Sequence, residues 1–301
     1  MKILIIGCGF VGKNLLNRLI SLNSNYKINV VDINDYCIDN ENITFYKESF
    51  SNSKFLDSIL PNTDIIFHLS GSSLPRKTNN NYVNDIENDL INTVRLLDKM
   101  VEHNVNKIVF LSSGGTIYGN NTDNFVSENS LTNPISNYGL IKLTIEKYLN
   151  LYKYNFGLEP LILRVSNLYG PQYGRTGLHG IITTTLNKTK NNEQIEIWGD
   201  GNNIRDYLFI DDLTDLLISS INSFKEGIFN IGSGKGVSIN ELIKITEEIT
   251  KLTPSIIYKE KIIDDVLRVV LNIEKIKSVY NWQPKIDINK GIKICWDNLN
   301  G

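Results

Sequence analysis

The sequence predicts an α/β protein, in which a doubly wound parallel sheet is followed by a smaller α/β C-terminal domain. Two observations lead to this prediction. Short, nearly continuous apolar runs alternate with amphipathic segments from the first residues onwards, and after about residue 165 this pattern loosens into loops rich in glycine and asparagine. Buried parallel strands have continuous apolar sequences, and repeated strand–helix–strand order places helices on both faces of one sheet.

Each predicted element follows from its own pattern. Five short apolar runs are predicted strands: Lys2–Ile6, Ile28–Val31, Asp64–Leu69, Lys107–Leu111 and Leu161–Val165. Segments with apolar residues three and four positions apart are predicted helices: Val11–Leu22, Tyr82–His103, Tyr138–Tyr152 and, in the second domain, Ser238–Leu252 and Ile273–Tyr280. We place the domain boundary between residues 166 and 167, with some later segments returning to the first domain.

The composition excludes several classes of function. The chain has 301 residues, of which 41% are hydrophobic and 21% are charged, and its formal net charge is −2. Proteins that bind nucleic acid or anionic membranes usually present a basic face, and no block of lysine and arginine occurs here. No apolar run approaches the ~20 residues that a membrane-spanning helix needs. We therefore expect neither nucleic acid nor a membrane as a partner.

The cysteines and histidines argue against a metal site. Three of each are scattered along the chain: Cys8, Cys37, Cys295, His68, His103 and His179. They lack the short spacing of metal ligands, and an odd number of scattered cysteines does not form a disulfide framework. The sequence therefore predicts free thiols, a cytoplasmic location and no bound metal.

A glycine-rich turn directly follows the first predicted strand. Residues 7–12 read Gly-Cys-Gly-Phe-Val-Gly and lead into an apolar helix. Gly7 permits the tight bend, Gly9 lets the backbone approach a pyrophosphate, and Gly12 allows the helix to pack closely against the strand. Free N–H groups at the N-terminus of the helix favour phosphate. This turn predicts a dinucleotide site in a Rossmann-type sheet, with Phe10 and Val11 also contacting the cofactor.

Asp32 indicates which dinucleotide is bound. It ends the second predicted strand, about 20 residues beyond Gly12. A carboxylate at this position accepts hydrogen bonds from the adenosine ribose of NAD and repels the 2′-phosphate of NADP. The sequence therefore predicts NAD as the cofactor.

Tyr138 and Lys142 form a candidate catalytic pair. They lie four residues apart at the start of a predicted helix, so both side chains are on one face. An ammonium group beside a phenol favours the phenolate and lowers the phenol pKa, as a general base acting on a secondary alcohol requires. A strand ending in Ser112-Ser113 precedes this helix, and hydroxyl groups at the carboxyl end of a parallel strand face the ligand crevice.

These segments resemble extended short-chain dehydrogenases/reductases of the NAD-dependent epimerase/dehydratase family. The resemblance covers nearly the whole chain, and the matching segments are GCGFVG at 7–12, HLSGSS at 68–73, SSGGTIYG at 112–119, YGLIK at 138–142, RVSNLYGP at 164–171, WGDGNNIRDYLFIDDL at 198–213 and FNIGSG at 229–234. It implies that residues 1–166 bind NAD and that residues 167–301 mainly bind a nucleotide sugar.

The resemblance also implies roles for individual residues. Tyr138 would be the catalytic acid/base, and Lys142 would bind the nicotinamide ribose and lower the pKa of the tyrosine. Asn167 would contact the reacting end of the substrate, and Arg205 would bind its diphosphate, which guanidinium matches well. For Arg205 the alternative is a surface ion pair with Asp206, Asp211 or Asp212. Further cofactor contacts are implied for Leu69, Ser70, Gly71 and Ser112.

Two departures from the family's pattern lie near the predicted chemistry. Gly114 stands where the family usually carries serine or threonine. The hydroxyl that contacts the reacting sugar oxygen must then come from Ser113 or Thr116, and we prefer Thr116. Asp89 stands where the family commonly carries asparagine.

Two further departures concern the ends of the ligands. Ser49 stands where an acidic residue often contacts adenine. A second phosphate-binding arginine, expected shortly before Asp265, is missing from the sequence, which leaves Arg268 or Lys261 for that role.

The resemblance narrows the reaction. Similar 4,6-dehydratases carry Asp-Glu after the hydroxyl residue, where this chain has Gly115 and Thr116. Epimerase/reductases of 4-keto-6-deoxy sugars pair a cysteine with a histidine; His179 lies in a suitable loop, but residues 112–116 contain no cysteine. Redox-sensing relatives that only bind the dinucleotide lack the tyrosine and lysine, which this chain keeps.

Two reactions remain, a nucleotide-sugar 4-epimerase and a 4-ketosugar reductase. The epimerase needs only Tyr138, Lys142 and tightly held NAD, whereas many reductases use NADPH, so Asp32 favours the epimerase. Similar epimerases act on UDP-glucose or UDP-N-acetylglucosamine and serve polysaccharide biosynthesis. In similar proteins the helices predicted at Tyr82–His103 and Tyr138–Tyr152 form a dimer interface, which predicts a homodimer. The apolar residues predicted on these helices include Leu90, Val94, Leu97, Ile145 and Leu149.

Overall fold

A computed structural model of the chain describes residues 1–22, 25–71, 81–121, 123–171, 180–260 and 266–300. Five residues of the sequence analysis lie outside these ranges: Ser72, Ser73, His179, Lys261 and Asp265.

Strands and helices alternate along the described chain. The strands are β1 (Lys2–Ile6), β2 (Lys27–Asp32), β3 (Ile43–Lys47), β4 (Ile65–His68), β5 (Lys107–Ser113), β6 (Glu159–Val165), β7 (Asn167–Tyr169), β8 (Ile195–Trp198), β9 (Ile204–Phe209), β10 (Gly227–Ile231), β11 (Gly236–Ser238), β12 (Ile256–Lys259) and β13 (Arg268–Val269). The α-helices are α1 (Phe10–Ser21), α2 (Ser53–Ile59), α3 (Tyr82–Asp85), α4 (Asn92–Glu102), α5 (Asn137–Phe156), α6 (Ile181–Lys190), α7 (Ile210–Asn222), α8 (Ile239–Thr250), α9 (Glu274–Tyr280) and α10 (Ile288–Asn300).

The main sheet has the strand order of a doubly wound α/β fold. Within the described residues it contains seven strands, in the order β10-β6-β5-β4-β1-β2-β3. The pairs β1–β2, β2–β3, β1–β4 and β4–β5 are parallel. The direction of winding reverses between β1 and β4, and ligands of such sheets bind at the carboxyl ends of the strands at that point. The predicted α/β fold is confirmed.

The chain packs as two compact units. Unit 1 consists of Met1–Ser113, Ser136–Leu163 and Leu216–Phe229, and unit 2 consists of Gly114–Ile135, Arg164–Asp215 and Asn230–Gly301. The functional division into a cofactor domain and a substrate domain at residue 166 stays a prediction.

The core of unit 1 fills the space between the sheet and its helices. Leu4 of β1, Ile66 of β4 and Phe110 of β5 pack with Leu97 of α4 and Leu149 of α5, and all five side chains are fully buried. Burial of one such side chain contributes about 1.5–3 kcal/mol. Leu97 and Leu149 therefore belong to the core, as does Ile145, and not to a surface available to a second subunit.

The helix predicted over Tyr82–His103 contains a π-helical segment, Ile86–Ile91, between α3 and α4. Two side chains that follow this segment donate hydrogen bonds to backbone carbonyls within it. Asn92 Nδ2 donates to the Asn88 oxygen (3.3 Å), and Thr93 Oγ1 donates to the Asp89 oxygen (2.5 Å). Apolar periodicity predicts the helix but does not reveal the wider turn. The π segment carries the buried side chain of Asp89.

Helix α5 starts and ends at residues suited to those positions. The Ser136 hydroxyl caps its N-terminus by accepting a hydrogen bond from the Gly139 N–H (3.2 Å). Its C-terminal cap is Gly157, whose φ of 73° lies in the left-handed region. The cap fixes Tyr138 in the first turn of the helix.

Unit 2 contains small sheets as well as the predicted helices. Strand β9 pairs with β7, β11 and β13, and β8 pairs with β12. The helices α8 and α9 confirm the predictions for Ser238–Leu252 and Ile273–Tyr280 to within two residues at either end. The sequence analysis predicted none of these strands, which are two to six residues long.

Other predictions concern the whole chain. No helix in the part of the chain that the structure describes is long and apolar enough to span a bilayer. All three cysteines are free thiols; Cys8 and Cys295 are buried, and Cys37 is exposed.

Candidate active site

The glycine turn after β1 is packed too tightly for side chains. A Cβ on Gly7, whose φ is +99°, would lie 2.6 Å from the Ser70 nitrogen, and a Cβ on Gly12 would lie 2.1 Å from the Gly7 oxygen. The turn is held by a hydrogen bond from the Gly7 N–H to the Val31 oxygen (2.8 Å). Glycine is therefore required at both positions.

The turn presents free donors at the start of α1. The helix begins at Phe10 with Gly9 as its N-cap, and no side chain caps it. The first N–H groups of a helix have no partner within the helix, and they attract anions together with the helix dipole. Val11 lies in this first turn. The cradle has the shape and the donors that a pyrophosphate requires.

Asp32 closes the edge of this cradle. Its Oδ2 atom accepts a hydrogen bond from the Cys8 N–H (2.6 Å), and its Oδ1 atom accepts one from the Asn34 N–H (2.8 Å). The carboxylate at the end of β2 is thus fixed against the glycine turn. The cradle, the N-terminus of α1 and Asp32 together fit NAD.

The segment after β4 lies beside the turn. The Leu69 N–H donates a hydrogen bond to the Ile6 oxygen (2.8 Å). A side chain on Gly7 would clash with the backbone of Ser70. A Cβ on Gly71 would lie 3.7 Å from Lys142 Nζ, so this segment also borders the lysine. Leu69, Ser70 and Gly71 therefore lie at the switch point of the sheet, where they were predicted to contact the cofactor.

Tyr138 lies next to the hydroxyl at the end of β5. The Ser113 hydroxyl is hydrogen-bonded to its phenol. Burial and the nearby charge of Asp89 raise the pKa of Tyr138 to about 12, against the lowering effect of that hydrogen bond. We expected Lys142 to lower this pKa; in this structure burial outweighs any such effect.

Lys142 is a buried lysine among aromatic rings. Its side chain is 6% exposed, and Nζ lies 4.7 Å from the ring centroid of Phe110 and 5.8 Å from that of Tyr138. Burial lowers its pKa to about 8, and the charges of Asp89 and Glu146 oppose this shift. The group is therefore still mostly an ammonium ion at neutral pH.

Glu146 is a residue that the sequence analysis missed. It lies one turn beyond Lys142 on α5, is 1% exposed, and accepts a hydrogen bond from the Ser112 hydroxyl (2.5 Å). Ser112, predicted to contact the cofactor, thus directs its hydroxyl to a buried carboxylate. The spacing of Tyr138, Lys142 and Glu146 at intervals of four was the available signal.

A buried histidine, His68, lies close enough to Lys142 to interact with its charge. His68 ends β4, and its Nε2 is hydrogen-bonded to Thr93 Oγ1 (2.8 Å). Burial, with a contribution from Lys142, lowers the pKa of His68 to about 3, so the ring is neutral at pH 7. His68 therefore adds no charge to the site.

In unit 2, the unusual Gly114 has a packing explanation. A Cβ at this position would lie 2.6 Å from Leu271 Cδ1 and 2.8 Å from the Arg164 oxygen. A serine or threonine does not fit without movement of Leu271 or of the backbone. Two residues later, Thr116 Oγ1 is buried and has no hydrogen-bond partner among the described residues.

Asn167 and Arg205 are held by neighbouring strands of unit 2. Asn167 begins β7, and its Nδ2 donates to the backbone oxygen of Asp206 (3.2 Å). A Cβ on Gly115 would lie 3.6 Å from Asn167 Oδ1, so Asn167 borders the segment that carries Thr116. Arg205 lies on β9 and donates from Nη1 to the Ile204 oxygen (3.0 Å).

Two of the three carboxylates named as alternative partners for Arg205 accept hydrogen bonds from backbone N–H groups of other segments. Asp206, which is 1% exposed, accepts hydrogen bonds from the Ser233 N–H (2.7 Å), the Gly234 N–H (3.1 Å) and the Leu271 N–H (3.2 Å). Asp212 accepts hydrogen bonds from two backbone N–H groups of residues 285 and 286. Asp206 is therefore a hub that fixes three segments of unit 2.

Arg268 and Arg205 do not share a face of their sheet. Arg268 of β13 pairs in parallel register with Ile204, the residue before Arg205. Paired residues point to the same face, and successive residues alternate, so the two arginines point to opposite faces. Arg268 Nη2 also approaches the Asn124 oxygen (3.5 Å). Lys261 lies outside the described residues, so the identity of the second phosphate contact stays a prediction.

One group of possible metal ligands lies on the surface of unit 1. Asp57, Glu102 and His103 lie close together, but Lys99 Nζ lies 2.9 Å from Asp57 Oδ1 and 2.6 Å from Glu102 Oε2. The ammonium group already balances the two carboxylates. We assign no ligand to this group.

Comparison with known proteins identifies the family of the chain. The model of the NAD-dependent epimerase/dehydratase family matches residues 3–232. A protein of Methanocaldococcus jannaschii with the provisional name UDP-glucose 4-epimerase is 33% identical over 95% of this chain and 94% of its own length. The dTDP-4-dehydro-6-deoxyglucose reductase of Escherichia coli is 30% identical over 95% of this chain and 93% of its own length.

A solved structure agrees as well. The crystal structure of UDP-glucose 4-epimerase with UDP-glucose from Thermotoga maritima matches with a TM-score of 0.91 and 30% sequence identity, covering 100% of this chain and 99% of that one. The chain therefore belongs to the NAD-dependent epimerase/dehydratase family.

Proposed function

We propose that this chain is an NAD-dependent 4-epimerase of a nucleotide sugar, UDP-hexose or UDP-N-acetylhexosamine, that acts through a transient 4-keto intermediate. The observation that carries the proposal is the group formed by partly buried Tyr138 with buried Ser113 and Lys142, beside the dinucleotide cradle. The similarity to two proteins named UDP-glucose 4-epimerase supports it.

The residues of the chain have complementary roles in this proposal. NAD, when bound, supplies the acceptor for a hydride from the sugar carbon. Tyr138 takes the proton of the C4 hydroxyl at its phenol oxygen and returns it after the keto sugar has turned. The Ser113 hydroxyl stabilises the phenolate by donating a hydrogen bond, and the Lys142 ammonium stabilises it electrostatically.

Residues of unit 2 hold the substrate. Thr116 supplies the hydroxyl that contacts the reacting sugar oxygen, since its Oγ1 is buried with no partner in the described part of the chain. A buried hydroxyl without a partner is costly, and a substrate oxygen would satisfy it. Asn167 contacts the sugar, and Arg205 binds the diphosphate through its guanidinium.

A second candidate is reduction of a nucleotide-linked 4-keto sugar. The 30% identity to a dTDP-4-dehydro-6-deoxyglucose reductase over nearly the whole chain favours it. The same tyrosine would then donate a proton instead of exchanging it. Asp32 argues for NAD over NADP and thus for the epimerase.

The two functions are separated by one measurement. The purified protein is incubated with UDP-hexoses and UDP-N-acetylhexosamines without added cofactor, and the C4 configuration is followed by proton NMR. Inversion at C4 without net redox supports the epimerase and identifies the sugar. Turnover only of a 4-keto sugar with added NADH or NADPH would establish the reductase instead.

We also propose that the chain acts in the cytoplasm as a homodimer. Several apolar side chains of α3, the π segment and α5 are exposed in the single chain: Tyr82, Val83, Ile86, Ile91, Leu140 and Leu151. Exposed apolar patches of this kind mark protein–protein interfaces. A second copy of the chain, packed through the same helices, would cover them.

A further inference from the structure

Helix α5 carries three titratable side chains along one face. Tyr138, Lys142 and Glu146 are spaced four residues apart, so they follow one another along the helix. Tyr138 and Lys142 have roles in the proposed reaction, but nothing above gives Glu146 one. A carboxylate that is 1% exposed is expensive to bury unless hydrogen bonds and an opposite charge compensate it.

The surroundings of Glu146 supply both forms of compensation. Ser112 at the end of β5 donates a hydrogen bond to Oε1 at 2.5 Å. The opposite charge is the ammonium of Lys142, one helical turn away and itself 6% exposed between the rings of Phe110 and Tyr138. The two ionic groups are thus buried together in the region that borders the cofactor cradle.

A second carboxylate approaches the lysine from another element. Asp89 is 8% exposed on the π segment, which packs against α5. Its charge acts on both Lys142 and Tyr138, whereas that of Glu146 acts on Lys142. Asp89 favours the protonated form of the phenol as well as that of the lysine, whereas Glu146 lies eight residues beyond Tyr138 on α5 and acts on the lysine.

We propose that Glu146 is a positioning residue that holds Lys142 as a cation beside Tyr138, with Asp89 as a second counter-charge. The effect on turnover rests on the proposed function, but the effect on the lysine does not. Of the other described titratable groups, neutral His68 on β4 interacts with Lys142, and buried Asp85 on α3 accepts a hydrogen bond from Nδ2 of Asn137, the residue before Tyr138 (3.2 Å).

The Glu146→Gln variant isolates the charge. Glutamine has nearly the same volume, and its amide oxygen still accepts the hydrogen bond from Ser112. We expect the pH at which Lys142 loses its proton to fall by about one unit, the size of the effect of a single close charge. The upper pH limit of turnover should fall with it, so that turnover at pH 8.5 decreases about tenfold while turnover at pH 6.5 changes little.

The titration of the lysine is measured directly by NMR. The Cε signal of Lys142 is followed against pH in protein with labelled lysine, and the signal is assigned with Lys142→Arg. The matched control is Glu102→Gln, which removes the charge of a helical glutamate bonded to Lys99 on the surface. A midpoint of Lys142 that falls in Glu146→Gln but not in Glu102→Gln supports the proposal. An unchanged midpoint in Glu146→Gln overturns it.

A stability measurement tests the same pair if Glu146→Gln does not fold by itself. Lys142→Met leaves the Glu146 carboxylate buried without its counter-charge, so adding Glu146→Gln should raise the Tm of Lys142→Met. No increase would overturn the proposal. The lysine could titrate as expected in a protein that does not epimerise any UDP sugar. That result would support the role of Glu146 as the counter-charge of Lys142 and reject the proposed function.

Discussion

Leu271 occupies the space that a side chain on Gly114 would need: its Cδ1 atom lies 2.6 Å from the position of a Cβ on that glycine. The backbone N–H of Leu271 is in turn hydrogen-bonded to the buried carboxylate of Asp206 (3.2 Å). The missing hydroxyl at position 114 is therefore coupled to the packing of unit 2. A serine at position 114 therefore requires Leu271 or the backbone to move.

Replacing Gly114 by serine should destabilise the protein. The new Cβ would force Leu271 or the backbone to move, which typically costs about 1–3 kcal/mol in the free energy of unfolding. Urea denaturation measures the loss. The matched control is Gly115→Ser, because a Cβ on Gly115 would be 3.6 Å from Asn167 Oδ1, an ordinary contact. Equal stability of the two variants would contradict this account.

Removal of the Tyr138 hydroxyl should abolish most turnover. General acid–base catalysis contributes about 10²–10⁴-fold to rate, so Tyr138→Phe should lower kcat by at least about a hundredfold. The variant should keep its bound NAD, since the phenol oxygen is not part of the glycine cradle. Turnover near the wild-type rate would exclude Tyr138 as the acid/base.

The two candidate hydroxyls should behave differently. Thr116→Val removes a hydroxyl that is buried without a partner in the described chain, so the free protein should become no less stable while kcat/KM falls. Ser113→Ala removes the hydrogen bond to Tyr138 and should shift the pH dependence of turnover to higher pH, because that bond lowers the tyrosine pKa. Thermal melts and pH–rate profiles separate them; full activity of Thr116→Val would transfer the substrate contact to Ser113.

His68 should make the protein sensitive to acid. Its pKa is lowered to about 3 from an ordinary value of 6.5, so the unfolded chain binds a proton in this range that the folded chain does not. Stability is therefore lost as the pH falls from 6.5 towards 3, at most by about 1.4 kcal/mol per pH unit. The slope should be shallower in His68→Gln than in the wild-type protein. The same slope in both proteins would refute the assignment.

Asp32 should determine the affinity for NAD. Loss of a charged hydrogen-bond acceptor costs about 1.5–3 kcal/mol, so Asp32→Asn should weaken NAD binding to cofactor-free protein by about 10–100-fold. Calorimetric titration measures this, with the exposed Asp35→Asn as control. If both variants bind equally, the ribose contact is made elsewhere.

The helices of unit 1 carry both buried and exposed apolar side chains. Leu97, Ile145 and Leu149 are core residues, whereas Leu140 and Leu151 are about half exposed. A charge at Leu140, Leu140→Glu, should shift a dimer towards monomer in sedimentation experiments, and Leu131→Glu in unit 2 should not. A wild-type protein that is monomeric at micromolar concentration would reject the dimer.

The sequence was sufficient for features that depend on local pattern. Continuous apolar runs predict β1, β2, β4, β5 and β6, because parallel strands are buried on both faces. The glycine turn and Asp32 were found because a tight turn against a pyrophosphate allows few residue types.

The tertiary structure decided what depends on contacts between distant segments. Leu271 lies far from Gly114 in the sequence, and no local sequence pattern predicts that its side chain fills the space beside Gly114. Arg205 and Arg268 point to opposite faces of their sheet because of the register between β9 and β13. The sequences of such short strands do not predict this register. The pKa values of Tyr138 and Lys142 depend on burial and on Asp89, which the π segment brings to α5. The sequence by itself determined which groups could perform the chemistry, because that is a property of residue type and spacing, and only the fold determined their charge, because charge depends on what surrounds each group.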